Sequence, residues 1–88
     1  MNKLPTPAQL VSPIEIAIRG LGGSAHFREI EKAVAENLNL NKDDISKIRS
    51  GGRTEFAYRL SWARAKAKSE GRIVNEGKGI WAINVEKQ

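Results

Sequence analysis

Apolar residues recur along this chain at spacings of three and four in three separate stretches. Leu10, Ile14, Ala17, Ile18 and Leu21 form one stripe, Ile30, Ala33, Val34 and Leu38 a second, and Phe56, Leu60, Ala63 and Ala67 a third. Polar residues occupy the other positions, so each stretch predicts an amphipathic helix with one face to bury. After Gly71 the pattern changes. Residues 72–75 and 79–84 read as two short strands around Glu76-Gly77-Lys78-Gly79, a glycine-containing hairpin loop, with Trp81 and Ile83 facing the core.

The punctuation between these stretches agrees with that division. Ser12-Pro13-Ile14-Glu15 has the form of a capping box, which predicts a helix to about Leu21; the apolar stripe also allows an earlier start near Ala8 with a bend at Pro13. Gly20, Gly22 and Gly23 end it. A short extended piece over 24–26 leads to the second helix, over 27–37. Asn41 then caps a short helical turn over 42–48, with Asp43 and Asp44 in its first turn. Ser50-Gly51-Gly52 reads as a loop, and the longest helix follows over 54–70, stopped by Gly71.

This order predicts an α+β, mainly α fold: a winged helix-turn-helix with three main helices, an inserted helical turn and a β-hairpin wing. The chain has 88 residues, enough for one domain with one modest core. The expected division is a flexible N-terminus over 1–7, the winged-helix domain over 8–85 and a tail over 86–88. No internal repeat or low-complexity tract is present.

Charge adds a direction to this picture. The formal net charge is +5, yet residues 1–44 carry five basic against six acidic side chains and residues 73–88 carry two of each. The excess lies in residues 45–72, where eight basic residues face only Glu55 and Glu70. A polyanion would meet that segment. Within it, Glu55, Tyr58, Arg59, Trp62 and Lys66 fall opposite the apolar stripe of the last helix, with Arg64 and Lys68 toward its flanks. A helix of this kind fits the major groove of B-DNA. Arg59 is the first candidate for a bidentate contact to guanine, whereas Arg53, Arg64, Lys66 and Lys68 suit phosphates. Thr54 and Glu55 open the helix at the same surface, and Lys78 in the hairpin, with Asn75, could touch an adjacent groove or phosphate.

Each of these residues has a plainer reading. A basic run is usually a solvated face, and a hairpin loop explains Asn75 and Lys78 equally well. Tyr58 and Trp62, one turn apart, could contact sugars, bases or thymine methyls, but large aromatics more often support a helix from a core or half-core position. What favours function is coincidence: the charge lies on the helix that the topology itself places in the groove.

Catalysis finds no support in the sequence. There is no cysteine and one histidine, His26, which suits a helix start or surface position. Glu76-Gly77-Lys78 echoes part of a nuclease metal site without the carboxylates needed to hold Mg²⁺. Gly20-Leu21-Gly22-Gly23 lacks the spacing of a phosphate-binding loop. The expectation is a non-enzymatic chain without cofactor, metal or small-molecule ligand. The lack of a signal sequence, a membrane span and cysteines fits the cytoplasm.

Three stretches together resemble the N-terminal domain of Mrr-type restriction proteins: Gly22-Gly23-Ser24-Ala25 leading into Arg28-Glu29-Ile30, then Tyr58-Arg59-Leu60-Ser61-Trp62-Ala63-Arg64, then Gly71-Arg72-Ile73 with Gly79-Ile80-Trp81-Ala82-Ile83. The resemblance covers about residues 13–84. It implies a DNA-binding winged helix of the kind joined in that family to a separate nuclease domain, for which this length leaves no room. Ala67, Glu70 and Arg72 depart from the larger apolar residues that the family tends to place there.

The expected partner is therefore double-stranded DNA, with the chain acting as a regulator or as a targeting module of a restriction or defence system. A homodimer, or a partner bearing the nuclease, is compatible with this. The alternative is a protein-interaction or dimerisation module that uses Tyr58 and Trp62. Structured RNA shares the charge term, but its deep, narrow major groove suits a single helix less well.

Overall fold

The structure, a computed structural model, describes residues 4–85. The first three residues of the expected flexible N-terminus and the expected tail over 86–88 lie outside the described residues. The architecture is α+β and mainly α. In chain order it comprises α1 (Pro7–Gly20), β1 (Ser24–His26), α2 (Phe27–Asn37), α3 (Lys42–Ile45), β2 (Ile48–Ser50), β3 (Arg53–Thr54), α4 (Glu55–Ser69), β4 (Ile73–Gly77) and β5 (Ile80–Ile83).

Helix α1 begins at the earlier of the two possible starts, and Ser12 is not its cap. The Gln9 N–H donates to Thr6 Oγ1 (3.2 Å) and the Thr6 N–H donates to Gln9 Oε1 (3.0 Å), closing a capping box with Pro7 in the first turn. Thr6-Pro7-Ala8-Gln9 and Ser12-Pro13-Ile14-Glu15 have the same form, so local chemistry alone leaves both open. Tertiary burial decides. Starting at Pro7 brings Leu10 (0% exposed) and Val11 (5%) into the core with Ile14 and Ile18. The cost is Pro13 inside the helix, which removes one backbone donor.

Helices α1, α2 and α4 enclose a core whose largest fully buried side chains include Phe56, Leu10, Ile14, Ile18, Ile30 and Leu60. Ala17 on α1 and Ala63 and Ala67 on α4 are also buried, and these small residues suit close approach of the two helices. The predicted apolar face of α4 is thus its buried face. Gly71 follows the helix with φ +77°.

The three-stranded sheet has the order β1-β5-β4, antiparallel throughout. Strand β1 lines up Ala25 with Trp81, while β4 and β5 form the expected hairpin. Ile83 is buried, but Trp81 is only half-buried, packed against the edge of the core with Arg64 beside its ring. Gly79 sets how closely the hairpin approaches α2. It has φ +80°, and a Cβ there would lie 2.8 Å from His26 Nε2 and 3.0 Å from Phe27 Cδ2.

Two regions depart from the sequence reading: β4 runs to Gly77, taking Glu76 and Gly77 out of the expected loop, and the segment between α2 and α4 differs. The inserted helical turn stops at Ile45 rather than Ile48, and the chain then forms the β2–β3 ribbon around Gly51 and Gly52, at φ +62° and +80°. Strands this short have too few residues to reveal an alternation. The glycines nevertheless mark the turn, since both adopt the left-handed region that other residues avoid.

Candidate nucleic-acid interface

Helix α4 is fixed at both ends by its own sequence. Thr54 Oγ1 accepts from the Ala57 N–H (3.0 Å), Glu55 lies in the first turn, and Lys66 and Lys68 lie in the last, so each charge complements the helix dipole. With Phe56, Leu60, Ala63 and Ala67 buried, the opposite side of the helix carries Tyr58, Trp62, Ala65 and Ser69. Arg59 lies on the flank toward the segment before α1 and Arg64 on the flank toward α2 and the hairpin; the helical period puts Lys66 on the side of the first and Lys68 on the side of the second.

The basic residues divide by whether they have a carboxylate partner. Arg59 Nε donates to Glu55 Oε2 (2.6 Å), Arg49 Nη1 to Glu55 Oε1 (2.9 Å), and Lys66 lies 3.3 Å from Glu70. Arg72 bonds Glu70 (2.9 Å) and Glu15 (3.2 Å), Arg19 bonds Glu15, and Lys47 lies 3.4 Å from Asp44. Hydrogen bonds from Arg59 and then Arg49 hold the Glu55 carboxyl below the usual range, and bonds from Arg72 and then Lys66 do the same for Glu70. Those same contacts with Glu70 and Glu15 raise Arg72. By contrast, among the described residues no carboxylate lies within 4.0 Å of Arg28, Lys32, Lys42, Arg53, Arg64, Lys68 or Lys78.

Two of these cations, Arg28 and Arg64, meet at Phe27. The Phe27 N–H donates to Gly79 O (2.9 Å), joining the start of α2 to the hairpin beside Lys78. The Arg28 guanidinium stands 5.7 Å from the centre of the Phe27 ring, and the Arg64 guanidinium 5.4 Å from the same ring and 5.8 Å from that of Trp81. Contacts of this kind fix cations without neutralising them. Arg64 Nε is buried with no hydrogen-bond partner. Burial pushes its guanidinium down from the ordinary value, opposed by Glu31 and reinforced by Arg53. His26 serves as the N-cap of α2, its Nδ1 accepting from the Arg28 N–H (3.1 Å).

Arg59, the first candidate for reading a base, is already occupied. Besides Glu55, its Nη1 donates to Leu4 O (2.8 Å) and Pro5 O (3.1 Å), tying the segment before α1 to α4. A bidentate base contact by Arg59 would have to displace some of these bonds. The aromatic pair separates. Tyr58 is half-buried beneath Arg49, whose guanidinium lies 3.7 Å from the ring centre, but Trp62 is 56% exposed and meets Tyr58 edge-on at 6.4 Å. Trp62 is thus not a core support. At the hairpin, Lys78 sits at φ +55° and Asn75 Oδ1 accepts from the Gly77 N–H (2.6 Å), so Asn75 shapes the turn.

The chain matches the family described as the Mrr N-terminal domain over residues 9–86. It belongs to that family. No curated relative and no solved structure matches it. Among the described residues of this Mrr N-terminal domain, no helix is long and apolar enough to cross a membrane. Two residues of the candidate interface, Arg28 and Arg49, are not singled out by the sequence, although Arg49 belongs to its basic 45–72 segment. Phe27-Arg28, an aromatic next to a cation at a helix start, was a readable sign for the first. Arg49 had no comparable sign, because the ribbon that carries it was itself unseen.

Proposed function

We propose that this Mrr N-terminal domain is a non-catalytic module that binds double-stranded DNA in the cytoplasm, as a regulator or as the targeting part of a restriction or defence system. Helix α4 enters the major groove and the β4–β5 hairpin, as the wing, lies against the backbone. The observation that carries this reading is the sorting of charge. Acidic residues pair with the cations along the α1 side of α4, while Arg28, Arg53, Arg64, Lys68 and Lys78, on or next to α2, α4 and the hairpin, have no carboxylate within 4.0 Å among the described residues, as is also true of Lys32 and Lys42. A solvated basic surface gives no reason for such segregation; a polyphosphate backbone does.

Duplex binding measured by fluorescence anisotropy at several salt concentrations tests it. With about five phosphates neutralised, log K should fall against log salt with a slope of roughly −4 to −5. The double variant Arg64→Ala/Lys68→Ala should lower that slope by about 2. Absence of binding at low salt, or affinity indifferent to salt, rejects the reading.

The exposure of Trp62 supports a second reading, in which the opposite side of α4 docks a second copy or a nuclease-bearing partner. Sedimentation separates the two. A stable dimer abolished by Trp62→Ala, in a protein that ignores duplex DNA, would favour this alternative.

A further inference from the structure

Resting on the DNA-binding reading, we propose that Arg49, carried by the β2–β3 ribbon rather than by α4, reads a guanine in the major groove and that Glu55 is its positioning residue. Three constraints converge on this side chain. Its guanidinium lies 3.7 Å from the centre of the Tyr58 ring, on the outward side of the first half of α4. Its Nη1 donates to Glu55 Oε1 at 2.9 Å. The side chain is nonetheless 43% exposed.

Stacking and a carboxylate fix the plane and rotation of the guanidinium, and arginine has five N–H donors in a rigid fork. Glu55 engages Nη1 alone, so Arg49, unlike Arg59 with both Nε and Nη1 occupied, keeps donors on two nitrogens for the O6 and N7 atoms of guanine. Glu55 is itself held. Its second oxygen accepts from Arg59, which is anchored on the carbonyls of Leu4 and Pro5. The chain of contacts thus runs from the segment before α1 through Arg59 and Glu55 to Arg49. A group preorganised in this way loses little freedom on binding, which suits readout of one base better than a loose contact to phosphate.

The test is selection from a randomised duplex library by the full chain, followed by titration of the selected duplex and of a version with the guanine replaced. The wild type should enrich a site containing a guanine. Arg49→Lys keeps the charge but loses the fork, and Glu55→Gln loosens its hold. Each should cut discrimination at that guanine by roughly 5- to 100-fold while the salt slope of the Arg49→Lys protein stays that of the wild type. If the wild type selects no sequence, or both variants retain the same guanine, Arg49 is not the reader although duplex binding stands. If the wild type binds no duplex at low salt, the DNA-binding reading falls and this inference with it.

Discussion

Arg64 carries opposing demands within one side chain. A buried donor without a partner costs about 1–3 kcal/mol, and Arg64 Nε is such a donor. Contact with the Phe27 and Trp81 rings offsets part of this, at about 0.5–1 kcal/mol each. A residue retained only for stability would do better as an uncharged chain of similar length. Arg64→Met is accordingly expected to raise the unfolding free energy by about 1 kcal/mol while weakening duplex binding, as read by urea denaturation and anisotropy on the same protein. Loss of stability together with binding would instead make Arg64 a structural residue. Arg59 presents the converse. Sequence placed it among outward residues, but only the folded chain reveals the carbonyls of Leu4 and Pro5 that occupy it.

At the scale of elements, two short sequences of identical form compete to start α1, and substitution distinguishes them. Thr6→Ala should cost about 1 kcal/mol, while Ser12→Ala, inside the helix and exposed, should be neutral or slightly stabilising. Equal losses in thermal melts would show that both boxes contribute. The hairpin gives a sharper case. Gly79→Ala adds a Cβ that meets His26 and Phe27 at a positive φ, so a loss of about 1–3 kcal/mol is expected. Because Phe27 also orders Arg64, the same variant should weaken duplex binding; binding at wild-type strength would separate the hairpin from the interface. The helices were legible beforehand, since each shows its period over several turns. The β2–β3 ribbon was not, for its pairing depends on two glycine conformations rather than on any pattern of side chains.

Over the whole molecule, acidic groups pair with one set of cations, and another set has no carboxylate within 4.0 Å among the described residues. Glu55 and Glu70 have folded-state values depressed below 4.5, their ordinary value. A depressed carboxylate contributes stability above its unfolded value, and that contribution fades as pH falls through the folded one. The melting temperature should therefore decline between about pH 5 and pH 3, and Glu55→Gln/Glu70→Gln should make the decline shallower. The Glu70 pairs are exposed and the Glu55 pairs half-buried, so added salt should reduce the difference between the two proteins, chiefly through Glu70. A decline identical in the double variant would assign acid sensitivity to other groups.

The sequence by itself determined the three amphipathic helices, the hairpin, the buried face of α4 and the location of the positive charge. Each follows from residues near one another in the chain, through helical period, capping chemistry and local composition. Only the tertiary structure decided which start α1 uses, which cations are already paired and which aromatic stays in water. Arg72 meets Glu15 across 57 positions of sequence, and Arg59 meets Leu4 across 55. Charge can be counted along a chain. Whether a charge is compensated depends on distances of a few ångströms between surfaces that packing brings together.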